Sequence, residues 1–334
     1  MIKISGFGKA VPKKTIHNND LAKIGDTNDE WITSRTGISY RHIISGDESL
    51  SSLMVKASKK AIGQTNITSE EIDLIICATF TPTNICPNAA CYVKRQIGAS
   101  KAVAFDINSA CSGFIYATWV AQNLMKAEGY KNALVIGGDA LSKVTNWEDR
   151  STFVLFGDGC GAVTLSYDNK LPEERRGDIL SPAEGILAIE VQNHDDVSGS
   201  LCVTGINTAT PFEPHEETKP HIIMNGKNVF KFATNAFADM IGTLCKKANI
   251  EINDIDYFVP HQANARIIDH VANKMDIPLE KFFKNIDKYG NTSAGSVPIA
   301  LAELVEEKKP KKGSIICSVA FGGGLTAGGL LFEI

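Results

Sequence analysis

The sequence contains no long hydrophobic run. Its longest apolar stretches, LIICATF (residues 74–80) and NALVIGG (132–138), fall far short of the roughly 20 residues a membrane-spanning helix needs. Nor is there an excess of charge: 34 Lys and Arg against 38 Asp and Glu leave a net charge of −4, which gives nucleic-acid binding no support. A signal-peptide layout is missing too. MIKISGFGKAVP reads as a first strand and a turn, so a cytoplasmic location is expected. Eight cysteines in 334 residues do not form a disulfide framework, and Cys77, Cys91, Cys160, Cys245 and Cys317 lie in apolar segments, as reduced thiols do. Cys86 and Cys91 are five apart, but Pro87 intervenes and no second close pair exists, so no metal site is expected.

Strand-like runs alternate with helix-length segments, which argues for an α/β chain with parallel sheets packed between helices. The two halves echo each other. Glu71–Ile76 resembles Asp254–Val259, Lys131–Ile136 resembles Lys312–Cys317, and Phe156–Gly159 resembles Phe321–Gly324. Repeated order argues for tandem duplication. The junction is expected in the charged stretch Tyr167–Gly177, dividing the chain into residues 1–170 and 171–334. Residues 193–220, with His194 and His215, read as a surface loop or short hairpin, and His221 just beyond them as exposed. Met224–Lys247 carries apolar residues at a helical period. The glycines of FGDGCGA fit tight turns and close packing better than a nucleotide fingerprint, and KKPKK (308–312) fits a solvated turn.

Three positions point to chemistry. In AVAFDINSACSGFIYA a β-prone run ends in small residues, Cys111 follows, and an apolar helix-length run opens at Gly113. A thiol at a helix N-terminus has its thiolate favoured, although a packed core cysteine can share that setting. In DYFVPHQANARI, His261 follows an apolar run ending at Pro260. In DKYGNTSAGSVPIAL, Asn291 sits in a turn before another apolar helix. Strand ends are where α/β folds present catalytic groups.

These segments, together with AFGGGLTAG, DTNDEWITSRTGISYRH (26–42) and WEDRSTFVLFGDGCGA (147–162), resemble β-ketoacyl-acyl carrier protein synthase III, the condensing enzyme that initiates bacterial fatty-acid synthesis. The resemblance spans the chain, broken mainly between about residues 167 and 220. It implies a thiolase-like fold of two duplicated halves in a layered α-β-α-β-α arrangement, the first half carrying the nucleophile, the second the His and Asn.

The resemblance also implies roles. Cys111 would carry the acyl group by transthioesterification from acyl-CoA. Neutral His261 and the Asn291 amide would stabilise the enolate formed as malonyl-acyl carrier protein loses carbon dioxide, without metal or cofactor. Backbone N–H groups of Cys111 and Gly323 would form the second oxyanion hole. Trp31, Arg35 and Arg150 match positions around the coenzyme A adenine, and Thr27, Phe230, Ala263 and Asn264 match the pantetheine tunnel. Arg266, Lys231 and Lys274 would form a basic rim for an acidic carrier protein. The family's homodimer is implied as well, with the loop around Cys86 completing the partner's acyl pocket beside Phe321.

Two positions depart from the pattern: Cys86 stands where many members carry Phe, and Ala327 where many carry Trp. Both put the primer's identity in question. Three other readings remain: a related synthase of secondary metabolism with another primer or acceptor, a non-catalytic partner subunit, and a thiolase. The presence of Cys111 weighs against the second. A thiolase needs a second cysteine as base, and Cys317 sits inside the strand-like SIICSVAF, where packing suits it better.

Overall fold

The computed structural model describes residues 1–167, 185–205, 211–212 and 219–334. The first half runs β1 (Ile2–Ala10), β2 (Lys14–His17), α1 (Asn18–Leu21), α2 (Asp29–Thr36), β3 (Tyr40–Ile43), α3 (Leu50–Gly63), β4 (Leu74–Ala78), α4 (Ala89–Ile97), β5 (Val103–Ile107), α5 (Gly113–Glu128), β6 (Asn132–Ala140), α6 (Arg150–Phe153) and β7 (Asp158–Tyr167). The second runs β8 (Gly185–Asn193), β9 (Leu201–Val203), β10 (Ile222–Met224), α7 (Gly226–Ala248), β11 (Tyr257–Phe258), α8 (Ala265–Lys274), α9 (Ile286–Tyr289), α10 (Ser296–Lys308), β12 (Ile315–Gly322) and β13 (Thr326–Glu333).

The larger sheet has the order β1-β7-β6-β4-β5, and the second the order β8-β13-β12-β11. Their pairings correspond. β4 is parallel to β6 as β11 is to β12, and β7 closes back antiparallel on β6 as β13 does on β12. Even the entries match: a capping box between Thr68 and Glu71 precedes β4, and one between Glu251 and Asp254 precedes β11. Where β5 lies beside β4, the second half has only a single parallel bridge, Phe258 to Phe282. The duplicated order read from sequence is therefore physical. The expected junction at 170/171 lies outside the described residues.

α5 and α10 lie between the sheets: α5 packs on β4 and β6 from one side and β8 and β13 from the other, while α10 reaches β1, β6, β7 and β12. α3 and α4 cover the outer face of the first sheet, and α7 with α8 that of the second. This is the five-layer arrangement the resemblance implied. Central strands covered on both faces must be apolar throughout, and LIICA of β4 is buried at every residue. The glycines of FGDGCGA serve close packing: a Cβ at Gly161 would lie 2.5 Å from the Pro298 backbone, so α10 can sit directly on β7. Within residues 193–220, β9 forms a short antiparallel ribbon with β10, which lies just beyond them. His194 and His221 are exposed, whereas His215 lies outside the described residues.

Candidate active site

Cys111 and His261 each follow the end of a strand, β5 and β11, and Asn291 follows α9 and makes an isolated bridge with Phe156. β5 stops at Ile107, and one tight turn, Ala110–Ser112, delivers Cys111 to the start of α5. Asn108 Oδ1 accepts from the Ala110 N–H at 3.1 Å, and Ser112 shares a 2.7 Å hydrogen bond with Thr326 of β13. Ala110 takes a left-handed φ of +45° to make this turn. His261 follows β11, with its N–H donating to Val319 O at 2.8 Å, so the second sheet fixes its backbone. Asn291 is stitched to the first half: its N–H donates to Leu155 O at 2.9 Å and its carbonyl accepts from Gly157 at 3.0 Å.

Cys111, His261 and Asn291 converge on one cavity of about 970 Å³, which Phe321 and Gly323 also line. Asn291 Oδ1 accepts from the Ser293 N–H at 2.9 Å, leaving the Nδ2 hydrogens as the free donors of that amide. Burial holds the His261 imidazole down to about 3, so it is neutral at working pH. Its ring stands edge-on to Phe321, and its Nδ1 is buried without a partner.

At the thiol, burial works against the thiolate that the helix N-terminus favours. Burial pushes Cys111 up to about 12, the Asp139 carboxylate pushes the same way, and the Ser293 hydroxyl opposes them.

Among the glycines of the closing loop, Gly322 is the one pressed against the nucleophile: a Cβ there would lie 2.7 Å from the Cys111 backbone N. A Cβ at Gly323 would instead meet Leu201 O at 2.8 Å. A side chain at Gly322 would push this loop off the thiol's turn, and one at Gly323 would push it off β9.

Phe230, Ala263 and Asn264 line the cavity. Asn264 also caps α8, donating to Arg35 O and accepting from the Arg266 N–H, so both ends of its amide are engaged. Thr27, Trp31, Arg35 and Arg150 are not part of the cavity wall. The guanidinium carbons of Arg35 and Arg150 lie 4.6 and 4.8 Å from the Trp31 ring centre, at stacking contact. Arg150 is also tied to Asp26 through Oδ2 and the carbonyl. The expected slot between indole and guanidinium is thus filled by the guanidinium itself.

Arg266, Lys231 and Lys274 are exposed at the seam of α7 and α8, where Lys274 donates to Asn235 at 3.0 Å. Cys86 is exposed and does not line its own subunit's cavity, although its neighbour Ile85 does. Ala327 is buried in β13, opposite Phe321. Cys317 is buried within β12. Cys91, in contrast to the apolar setting expected, is exposed on α4, and all eight cysteines are free.

Sequence reading missed two residues beside Cys111. Asp139, at the end of β6, is fully buried under five donors, and Ser293 carries a left-handed φ of +51° with its hydroxyl unpartnered. The pattern GNTSAG signals a turn, but nothing in it says which side chain turns inward.

Comparison with known proteins gives the family. Residues 105–182 match the family model for 3-oxoacyl-[acyl-carrier-protein (ACP)] synthase III, and residues 245–334 match the model for its C-terminal part. The chain is 47% identical over 333 residues to the beta-ketoacyl-[acyl-carrier-protein] synthase III of Clostridium perfringens strain SM101, covering 99% of each. Its fold superposes on the crystal structure of the Aquifex aeolicus synthase III with a TM-score of 0.88, 41% identity and all of both chains covered. The Thermus thermophilus synthase III gives 0.89 at 35% identity, with 99% of each chain covered. With a thiol, an imidazole and an amide gathered in one cavity and relatives this similar along its whole length, the chain belongs to the β-ketoacyl-[acyl-carrier-protein] synthase III family.

Proposed function

We propose that this chain condenses an acyl-CoA primer with malonyl-acyl carrier protein, the step that begins fatty-acid synthesis. The observation that carries the proposal is the convergence of Cys111, His261 and Asn291 on one cavity, of a size that takes an extended organic ligand. Cys111 attacks the acyl-CoA thioester; the new C–S bond forms, the bond to coenzyme A breaks, and the thiol proton leaves with the departing sulfur. Malonyl thioester then enters. Its carboxylate departs as carbon dioxide, and the electron pair of the broken C–C bond becomes an enolate whose oxygen accepts from His261 and Asn291 Nδ2. The enolate carbon attacks the acyl-Cys111 carbonyl, the backbone N–H groups of Cys111 and Gly323 hold the resulting oxyanion, and collapse releases the β-ketoacyl product and the Cys111 thiolate, which takes up a proton from solvent to restore the thiol. Preorganised donors of this kind are worth about 3–4 kcal/mol each in a dry site. The steps balance with the substrates, the side chains and one proton from solvent, so no metal or organic cofactor is called for.

Phe230, Ala263 and Asn264 form the pantetheine passage in this reading. Thr27, Trp31, Arg35 and Arg150 receive the nucleotide once a guanidinium leaves the indole face, and Arg266, Lys231 and Lys274 meet the carrier protein. A homodimer is supported by the free edge of β5, where Val103 is 47% exposed, and by Ile85, 81% exposed in the loop that carries Cys86. In that dimer Cys86 faces the partner's acyl pocket. The halves divide at 170/171. A cytoplasmic location fits eight free thiols, and among the described residues no helix is long and apolar enough to cross a membrane. Incubation with a panel of acyl-CoAs, then malonyl-acyl carrier protein, tests the reading. The expected result is an acyl-sized mass increase on the Cys111 peptide that is discharged as β-ketoacyl product; absence of any adduct on Cys111 would overturn it.

A further inference from the structure

Asp139 is a buried carboxylate that the condensation chemistry does not use. Its Oδ1 accepts from the hydroxyls of Thr79 and Thr81, both at 2.9 Å, and from the N–H groups of Phe80 and Thr81 at 3.0 and 3.2 Å. Its Oδ2 accepts only a longer bond, 3.3 Å from the Ala294 N–H. All five donors are neutral, so Oδ2 is the under-satisfied end of a fully buried acid.

Ser293 lies beside that oxygen. The single turn Ser293–Gly295 packs against both the end of β6 and the turn that carries Cys111. Ser293 is 1% exposed, and it lines the cavity. Its left-handed φ is uncommon for a residue with a Cβ, and such conformations concentrate where a side chain must be aimed. The hydroxyl lies against the Cys111 thiol on one side and the Asp139 carboxylate on the other, acting on both, yet closes no hydrogen bond of good geometry with either. A buried hydroxyl between two such groups is poised to serve whichever needs its proton.

We propose that Ser293 is a positioning residue for the nucleophile, its hydroxyl bridging the Cys111 sulfur to the buried Asp139 carboxylate and steering the thiol's proton. In the resting enzyme the thiol S–H donates to Ser293 Oγ, and the Ser293 O–H donates to Asp139 Oδ2. As the sulfur attacks the acyl-CoA carbonyl, the thiol proton passes to the departing coenzyme A sulfur, while the Ser293 O–H, which Ser293 keeps, turns from the carboxylate to the Cys111 sulfur. Asp139 approaches the thiol from β6, and the cavity that holds the thiol is also lined by His261, after β11, and by Lys143. Asp139 is the charge among them that acts on it. Ser293 and Asp139 therefore pull in opposite directions, the hydroxyl favouring thiolate and the carboxylate favouring thiol.

The inference takes Cys111 as nucleophile from the proposed function, but its test needs no substrate. The rate of alkylation of Cys111 by iodoacetamide, read by mass on its own peptide because Cys86, Cys91 and Cys202 are exposed and react too, is followed against pH in the full chain. Ser293→Ala and Ser293→Gly should both react about tenfold more slowly than wild type at a given pH, the loss of one hydrogen bond to a charged group. Asp139→Asn should react faster. Slowing in all three alike would mean a damaged site and overturn the proposal. So would a wild-type rate in Ser293→Gly, which keeps the backbone turn without the hydroxyl. The Ser293 variants decide the matter alone if Asp139→Asn does not fold. If the proposed function fails instead, wild-type Cys111 alkylates with this profile yet takes no acyl group from acyl-CoA.

Discussion

The His261 and Phe321 rings meet edge to face, with centroids 5.3 Å apart and planes at 68°. The phenyl ring excludes water from an imidazole already enclosed by both halves of the fold, and burial leaves the neutral form favoured down to about pH 3. The sign is that of a base made harder to protonate: its folded pKa lies below the ordinary value of 6.5, so the neutral, donating state persists throughout the working range.

Condensation from pre-acylated enzyme should accordingly show no ionisation from His261 between about pH 5 and 8, where an ordinary histidine would titrate. A single-turnover pH profile checks this. A loss of rate below about pH 6.5 that disappears in a His261 variant would contradict it.

Carrier-protein binding should weaken with salt, because a basic rim meeting an acidic partner is a screened contact. Arg266→Ala should raise the apparent KM for malonyl-acyl carrier protein several-fold and leave acylation by acyl-CoA nearly intact. Equal damage to both half-reactions would assign Arg266 to the framework of α8.

Cys86→Phe should narrow the primer range toward acetyl. A thiol in place of a phenyl ring leaves room for several methylenes, each worth about 0.8 kcal/mol when buried. Because Cys86 does not line its own cavity, the effect requires a dimer, so sedimentation should find two chains at assay concentration. Ranking acetyl-, butyryl-, isobutyryl- and octanoyl-CoA in both proteins checks the prediction; an unchanged ranking or a fully active monomer would remove it.

What was legible in the sequence was what local order carries. Glu71–Ile76 and Asp254–Val259 look alike because both code a capped turn and then a buried parallel strand. Cys111 and His261 stand out because strand ends are marked by the residues around them, and Asn291 because a Gly-Asn-Thr-Ser turn before an apolar helix is. The state of the thiol was not legible. The helix N-terminus after Ser112 is written locally, whereas burial and the Asp139 charge reach Cys111 from another strand. Asp139 itself reads as the end of NALVIGGDA, and its contact with Ala294 joins residues 155 apart in sequence. The stacking of Arg150 on Trp31 escaped as well, since matching positions identify a pair of residues without giving their separation.

The central claim is that Cys111 carries the acyl group while His261 and Asn291 act only on the malonyl enolate. The measurement that tests it most directly is a split assay: load wild type, His261→Ala and Asn291→Ala with acyl-CoA, quantify acyl-Cys111 by mass, then add malonyl-acyl carrier protein and follow β-ketoacyl product in a single turnover. All three proteins should acylate, and both variants should then condense about 100- to 1,000-fold more slowly than wild type. Condensation by fully acylated Asn291→Ala at the wild-type rate would contradict the assignment.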